Sequence, residues 1–177
     1  ATVTHDGRII ASGSAISADG KLAHFIAKTD LDGNVAQVIR TNPFVAGHVC
    51  SASDGTLWTF GHELDKEEAR GDYLMLRHYN FNTGLLKEYV PRHSIPVAVL
   101  PTIAASGPQG AYLRCDDDSV GLYVNPTNEY FRFDSRKGVL ERYKTDTAEL
   151  GDMRLTGAAL TNAGVFYASA ENNAGAG

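Results

Sequence analysis

The chain has 177 residues, 43% hydrophobic and 9% aromatic, which is enough for one domain with a real core and unlike a disordered segment. Its net charge of −5 gives nucleic-acid binding no electrostatic support, and no apolar run reaches the ~20 residues that a membrane helix needs. Two cysteines are too few for a disulfide framework.

In chain order, turn signals separate short apolar runs. Asp6-Gly7 precedes Ile9-Ile10, and Asp54-Gly55 precedes Leu57-Trp58. Ser119-Val-Gly121 precedes Leu122-Tyr123, and Asn162-Ala-Gly164 precedes Val165-Phe166. Asp-Gly between apolar runs predicts a hairpin. The anchors Ile9, Leu57, Leu122 and Val165 lie 48, 65 and 43 residues apart. A second turn recurs in each unit, at Leu31-Asp-Gly33, Asn82-Thr-Gly84 and Arg136-Lys-Gly138. The runs before it are Leu22 to Lys28, Tyr73 to Tyr79 and Glu129 to Phe133. Those after it are Val35 to Arg40, Leu85 to Val90 and Val139 to Lys144. The pattern predicts an all-β chain of about fourteen strands, in three four-stranded antiparallel meanders and half of a fourth. Only Thr145 to Met153 could hold a turn of helix, and Gly151 interrupts it. Leu57 and Trp58 point to opposite faces of one strand, so both can be buried, on different sides.

Units of this length, with Asp-Gly-x-Leu-Trp after the first strand and Asp/Asn-x-x-Gly between the last two, resemble β-propeller repeats. The NHL and YVTN-like propellers of bacterial secreted proteins look most similar. The stretch Ser119 to Asp134 resembles blades of uncharacterised propeller proteins of soil bacteria. WD40 and kelch signatures are missing. The resemblance implies one partial propeller domain with blades at 1–44, 45–95, 108–150 and an incomplete 151–177. It implies a ring of six to eight blades and an extracytoplasmic, periplasmic or secreted setting. Three and a half blades do not close a ring, so further sequence or a second copy is expected to complete it.

Propellers bind ligands on the loops joining the fourth strand to the next blade and the second strand to the third. Here those loops are longest at Gly61 to Gly71 and Ile95 to Gly110. In the first, His62, Glu63, Asp65 and Glu68 are candidate ligands for a divalent cation, calcium above all. Their spacing matches no metal motif, and Lys66 and Arg70 balance the acids, which favours a solvated loop. The second, Pro96 to Ile103, is apolar and either lines a pocket or packs on the domain. Asp116-Asp117-Asp118 reads as a solvated turn on the opposite side. Of six histidines, His48 is best placed for a site built one ligand per blade.

Cys50 and Cys115 each lie seven residues before an anchor, at positions where Thr2 and Ala158 stand in the other units. Small-residue packing near the axis explains them, and a disulfide requires that they meet its geometric limits. No Gly-x-Ser-x-Gly elbow, phosphate loop or Cys-x-x-Cys is present. The reading is a non-enzymatic binding or structural module for a protein, peptide or glycan partner, without a cofactor. His48, His62, Glu63, Arg70 and Arg114 are its candidate binding residues. The rival is a metal-dependent propeller hydrolase or lyase with His48, His62, Glu63 and Arg114 near the axis.

Overall fold

The computed structural model describes residues 1–4, 6–63, 73–96, 111–124 and 129–144, and the backbone alone of 153–160 and 166–172. The first sheet is β1 (Thr2–Val3), β2 (Ile9–Ile16), β3 (Leu22–Thr29) and β4 (Val35–Arg40). The second is β5 (Phe44–Ser51), β6 (Leu57–Glu63), β7 (Leu74–Asn80) and β8 (Gly84–Pro91). The third is β9 (Ala111–Cys115), β10 (Ser119–Val124), β11 (Glu129–Asp134) and β12 (Val139–Lys144). β13 (Met153–Leu160) and β14 (Phe166–Asn172) pair as a two-stranded fourth sheet. The strand count, their grouping and the all-β class agree with the sequence reading. Residues 145–152 of the one helical candidate lie outside the described residues, and its last residue, Met153, opens β13. Among the described residues there is no α-helix, only a 3-10 turn at Arg92–Ser94.

Turn chemistry explains the meanders. In each of the four Asp-Gly turns the glycine N–H donates to the carbonyl three residues earlier. The glycine takes the left-handed conformation, as at Gly7 (φ 76°) and Gly55 (φ 81°). This is a three-residue hairpin loop, a type I turn closed by a left-handed residue. Gly121, expected in a turn, instead lies inside β10. The third sheet's first hairpin is the two-residue Asp117-Asp118 loop, closed by Asp116 N–H donating to Ser119. The equal spacing of seven from cysteine to anchor thus conceals a shorter turn. Cys50 lies opposite Trp58, whereas Cys115 lies opposite Val120.

Neighbouring sheets stack face to face, with β1, β5, β9 and β13 side by side as the inner strands. One face of the first sheet, Ile10, Ile26 and Ile39, packs on Phe44, Ala46, Val49, Leu57 and Tyr79 of the second. The second sheet's other face, with Cys50, Trp58 and Phe60, packs on Val120, Leu122, Phe131 and Phe133 of the third. Leu57 and Trp58 are therefore both buried, on opposite sides of one strand. Such burial on both faces is why β6 opens Leu57-Trp58-Thr59-Phe60, without the charged alternation of a half-solvated strand. Trp58 stacks on His78, with ring centroids 4.1 Å apart. Tyr123 is fully buried too.

Candidate functional site

Topology places the ends of β6 and β8 at one rim, where residues 64–72 and 97–110 follow in sequence. The residues near these strand ends are held by contacts. Glu63 ends β6, just before residues 64–72. Its carboxylate accepts from the Arg77 guanidinium at 2.6 Å. Arg77 also reaches Glu88 on β8 at 2.7 Å. Its guanidinium lies 4.0 Å from the centre of the Phe44 ring. Arg77 is buried, and its Nε has no hydrogen-bond partner. One arginine thus joins the end of β6 to β8, the two strands that precede residues 64–72 and 97–110. Beside it, Val90 adopts φ 59°, a left-handed conformation that a β-branched residue seldom takes. Its burial in the core holds it there, just before Pro91 and the 3-10 turn.

Close by, between the first and second sheets, His24 is buried, and its Nδ1 lies 2.7 Å from Ser14 Oγ. The Asn42 side chain accepts from the His24 backbone N–H at 2.8 Å and donates to the Leu22 carbonyl at 3.0 Å. Asn42 precedes Pro43 through a cis peptide. His62, opposite Val45, is partly buried. Burial pushes its pKa below the ordinary value, and repulsion from His24 adds to this.

His48, His62 and Glu63 belong to the second sheet, but Glu63 lies on the face toward the first sheet, whereas His48 and His62 share the face of Phe60. Arg114 lies opposite Gly121 on the face of the third sheet turned away from the second. The structure therefore brings His62 and Glu63 to one rim and leaves Arg114 on another surface. Arg70, Asp65, Glu68 and residues 97–103 lie outside the described residues. Among the described residues no group of three or more His, Cys, Asp or Glu converges on a point.

The opposite side is latched rather than open. Asp117 accepts from Ser53 Oγ at 2.7 Å and from the Asp54 N–H at 3.1 Å, joining the turns of the second and third sheets. The Ser53 hydrogen bond foremost holds its carboxyl below the usual range. Asp118 pairs with Arg136. The acidic turn is exposed at Asp117, as read, and also links the second and third sheets. Cys50 and Cys115 form a disulfide, with Cα atoms 5.9 Å apart, between the inner strands β5 and β9.

Sequence reasoning did not single out Arg77, His24 or Asn42. The first two carried a signal: each is a polar residue within a run otherwise apolar enough to be buried, and such a residue needs a partner. Asn42 carried none, because its role depends on a contact with a strand 18 residues earlier.

The sheets fit propeller-like blades stacked face to face. No protein-family model matches the chain, and no curated protein matches it.

Proposed function

We propose that the chain is a non-enzymatic binding module built from NHL- or YVTN-like propeller blades, presenting residues 64–72 and 97–110 to a protein, peptide or glycan partner. The observation that carries this reading is the buried Arg77 bridge between Glu63 and Glu88, beside the strained Val90. A charge is costly to bury, and this one braces the strands from which both long loops depart. Rigid strands with long loops at one rim are the usual architecture of a binding surface. The disulfide supports an oxidising, extracytoplasmic setting. The outer face of the first sheet exposes Val3, Val35 and Val38, which supports further blades, or a second copy, packing there to complete a ring of six to eight.

The test is to replace 64–72 and 97–110, separately, by Gly-Ser linkers of equal length. Each variant and the parent are then probed on a glycan array and a displayed peptide library. The expected result is a partner bound saturably by the parent and lost by at least one linker variant of unchanged melting temperature. Turnover in a metal-supplemented hydrolase and lyase panel, abolished by His62→Ala, would favour the enzyme instead.

A further inference from the structure

Asp-Gly occurs four times in the chain, at Asp6, Asp19, Asp32 and Asp54. Each pair sits in the same three-residue loop, with the glycine N–H donating to the carbonyl three residues earlier. The four glycine φ values span only 76° to 85°. A Cβ on any of these glycines would meet nothing within 4 Å, so no neighbour shields the peptide. The four backbones are alike. They differ in what holds the aspartate side chain.

Three of the carboxylates are held by local donors. Thr4 Oγ1 donates to Asp6, and Ser17 Oγ donates to Asp19. Lys28 and Lys21 add ion pairs to these two acids, at 3.9 and 3.2 Å. Thr56 donates its N–H at 2.8 Å and its hydroxyl at 2.6 Å to Asp54. Asp32 lacks such a donor. The residue that opens its turn, in the place of Thr4 and Ser17, is Asp30. Asp30 accepts the Asn34 N–H at 2.8 Å and the Asn34 side-chain amide at 3.0 Å. The side-chain bond foremost holds the Asp30 carboxyl below the usual range, so Asp30 is ionised and has no proton to donate. The Asp32 carboxylate therefore makes no hydrogen bond or ion pair among the described residues, and Asp32 and Gly33 are both exposed.

We propose that Asp32 is the residue at which the folded chain isomerises, through a cyclic imide formed with Gly33. The Gly33 backbone nitrogen attacks Asp32 Cγ. The new N–C bond forms as the Cγ–OH bond breaks, and the hydroxyl and the amide proton leave as water. Water then adds back to the ring. Opening at the Cγ carbonyl restores aspartate, and opening at the main-chain carbonyl leaves the chain running through Cβ and Cγ. Solvent water is the only co-reactant, and no electrons are exchanged. The step needs a carboxyl that is protonated and free to turn toward the glycine nitrogen. Donors oppose both, because they fix the side chain and favour its charged form. The Thr4 and Ser17 hydrogen bonds foremost hold the carboxyls of Asp6 and Asp19 below the usual range. The product carries one more backbone atom between β3 and β4. The pairing of Val35 with Thr29, already beside a register shift, should loosen first. None of this depends on a partner at residues 64–72 or 97–110.

The experiment holds the full folded chain in mildly acidic heavy-oxygen water, then reduces it and digests it with trypsin. Cleavage after Arg8, Lys21, Lys28, Arg40 and Lys66 puts each Asp-Gly in its own peptide. Every reopened ring carries one heavy oxygen, and electron-transfer fragmentation tells the two linkages apart. The Asp32 peptide should gain label and isomer about fivefold faster than the other three, the factor that one net hydrogen bond supplies. In urea the four rates should converge. Asp30→Ser gives Asp32 the donor that Ser17 gives Asp19 and should slow it about fivefold, and Ser17→Ala should speed Asp19 by about as much. Both changes lie in surface turns and should melt with the parent, and the comparison within the parent stands without them. A rate at Asp32 no higher than at Asp6 and Asp19 in the folded chain overturns the proposal. So does a lead kept in full in urea, which would belong to the flanking Leu31 and Asn34 rather than to the fold. Asp30→Ser that leaves the Asp32 rate unchanged also overturns it.

Discussion

Replacing Cys50 and Cys115 together by alanine removes the one covalent link between the second and third sheets. The two residues are 65 apart in sequence, so the bond closes a long loop in the unfolded chain. The chain-entropy relation gives about 4 kcal/mol at 25 °C for a loop of that length. The apolar layer between the sheets is untouched apart from two sulfur atoms, so the double variant should still fold. Urea unfolding followed by the fluorescence of Trp58, the only tryptophan, measures the loss. With a slope of about 2 kcal/mol/M the midpoint should fall by about 2 M. The parent protein in reductant should match the double variant, and thiol titration of the oxidised parent should find no free cysteine. A midpoint shift under about 0.5 M, or two titratable thiols in protein refolded under oxidising conditions, would refute the reasoning.

Three further outcomes can be checked in the same assay. Trp58→Ala empties the layer between the second and third sheets and should cost about 3–5 kcal/mol; a loss under about 1 kcal/mol would place the indole outside the core. Gly61→Ala should destabilise by about 2 kcal/mol or more, because its Cβ would meet the Val45 carbonyl oxygen at 1.9 Å, and backbone must shift; an unchanged midpoint would mean that β5 and β6 are not so close. Burial, foremost, lowers the pKa values of His62 and His78 below the ordinary value near 6.5. The unfolded chain therefore takes up these protons first, so their contribution is full above pH about 6.5 and is lost as pH falls through the lower folded values. Urea midpoints should drop between pH 7.5 and 5.0, and less so in His78→Gln; a rise on acidification would contradict the assignment.

The blades were legible because hairpin chemistry is local. Asp6-Gly7 and Asp54-Gly55 fix turns from two residues, and Leu57-Trp58 announces a strand buried on both faces. What was not legible depends on register and on contacts between sheets. Cys50 and Cys115 sit at equivalent inner positions, which the sequence shows, but pairing requires adjacent strands at the right separation, which it does not. Asp117 is exposed, as its sequence suggests, but its link to Ser53 and Asp54 was not legible because they belong to another sheet. The alignment of Tyr112, Tyr123, Tyr130 and Tyr143 across the third sheet appears only when its four strands are set in register. Gly121 was misassigned to a turn because a glycine needed for close approach looks the same in sequence as one needed for positive φ. The candidate rim was found in part, at His62 and Glu63, but the arginine that braces it was not.

Burial of β6 on both faces makes the second sheet a party to both apolar layers among the described residues, whereas the first sheet shares one of them. In a stack held by nearest-neighbour interfaces, opening an outer sheet breaks one layer, and opening the middle one breaks two. Amide hydrogens should therefore exchange slowest in β6 and β7, through a process close to global unfolding. Those of β2 and β3 should exchange through a smaller opening that leaves the second and third sheets joined by their disulfide. The molecule would then wear away from its first sheet inward, so that early proteolytic cuts fall before residue 44 and leave a resistant fragment.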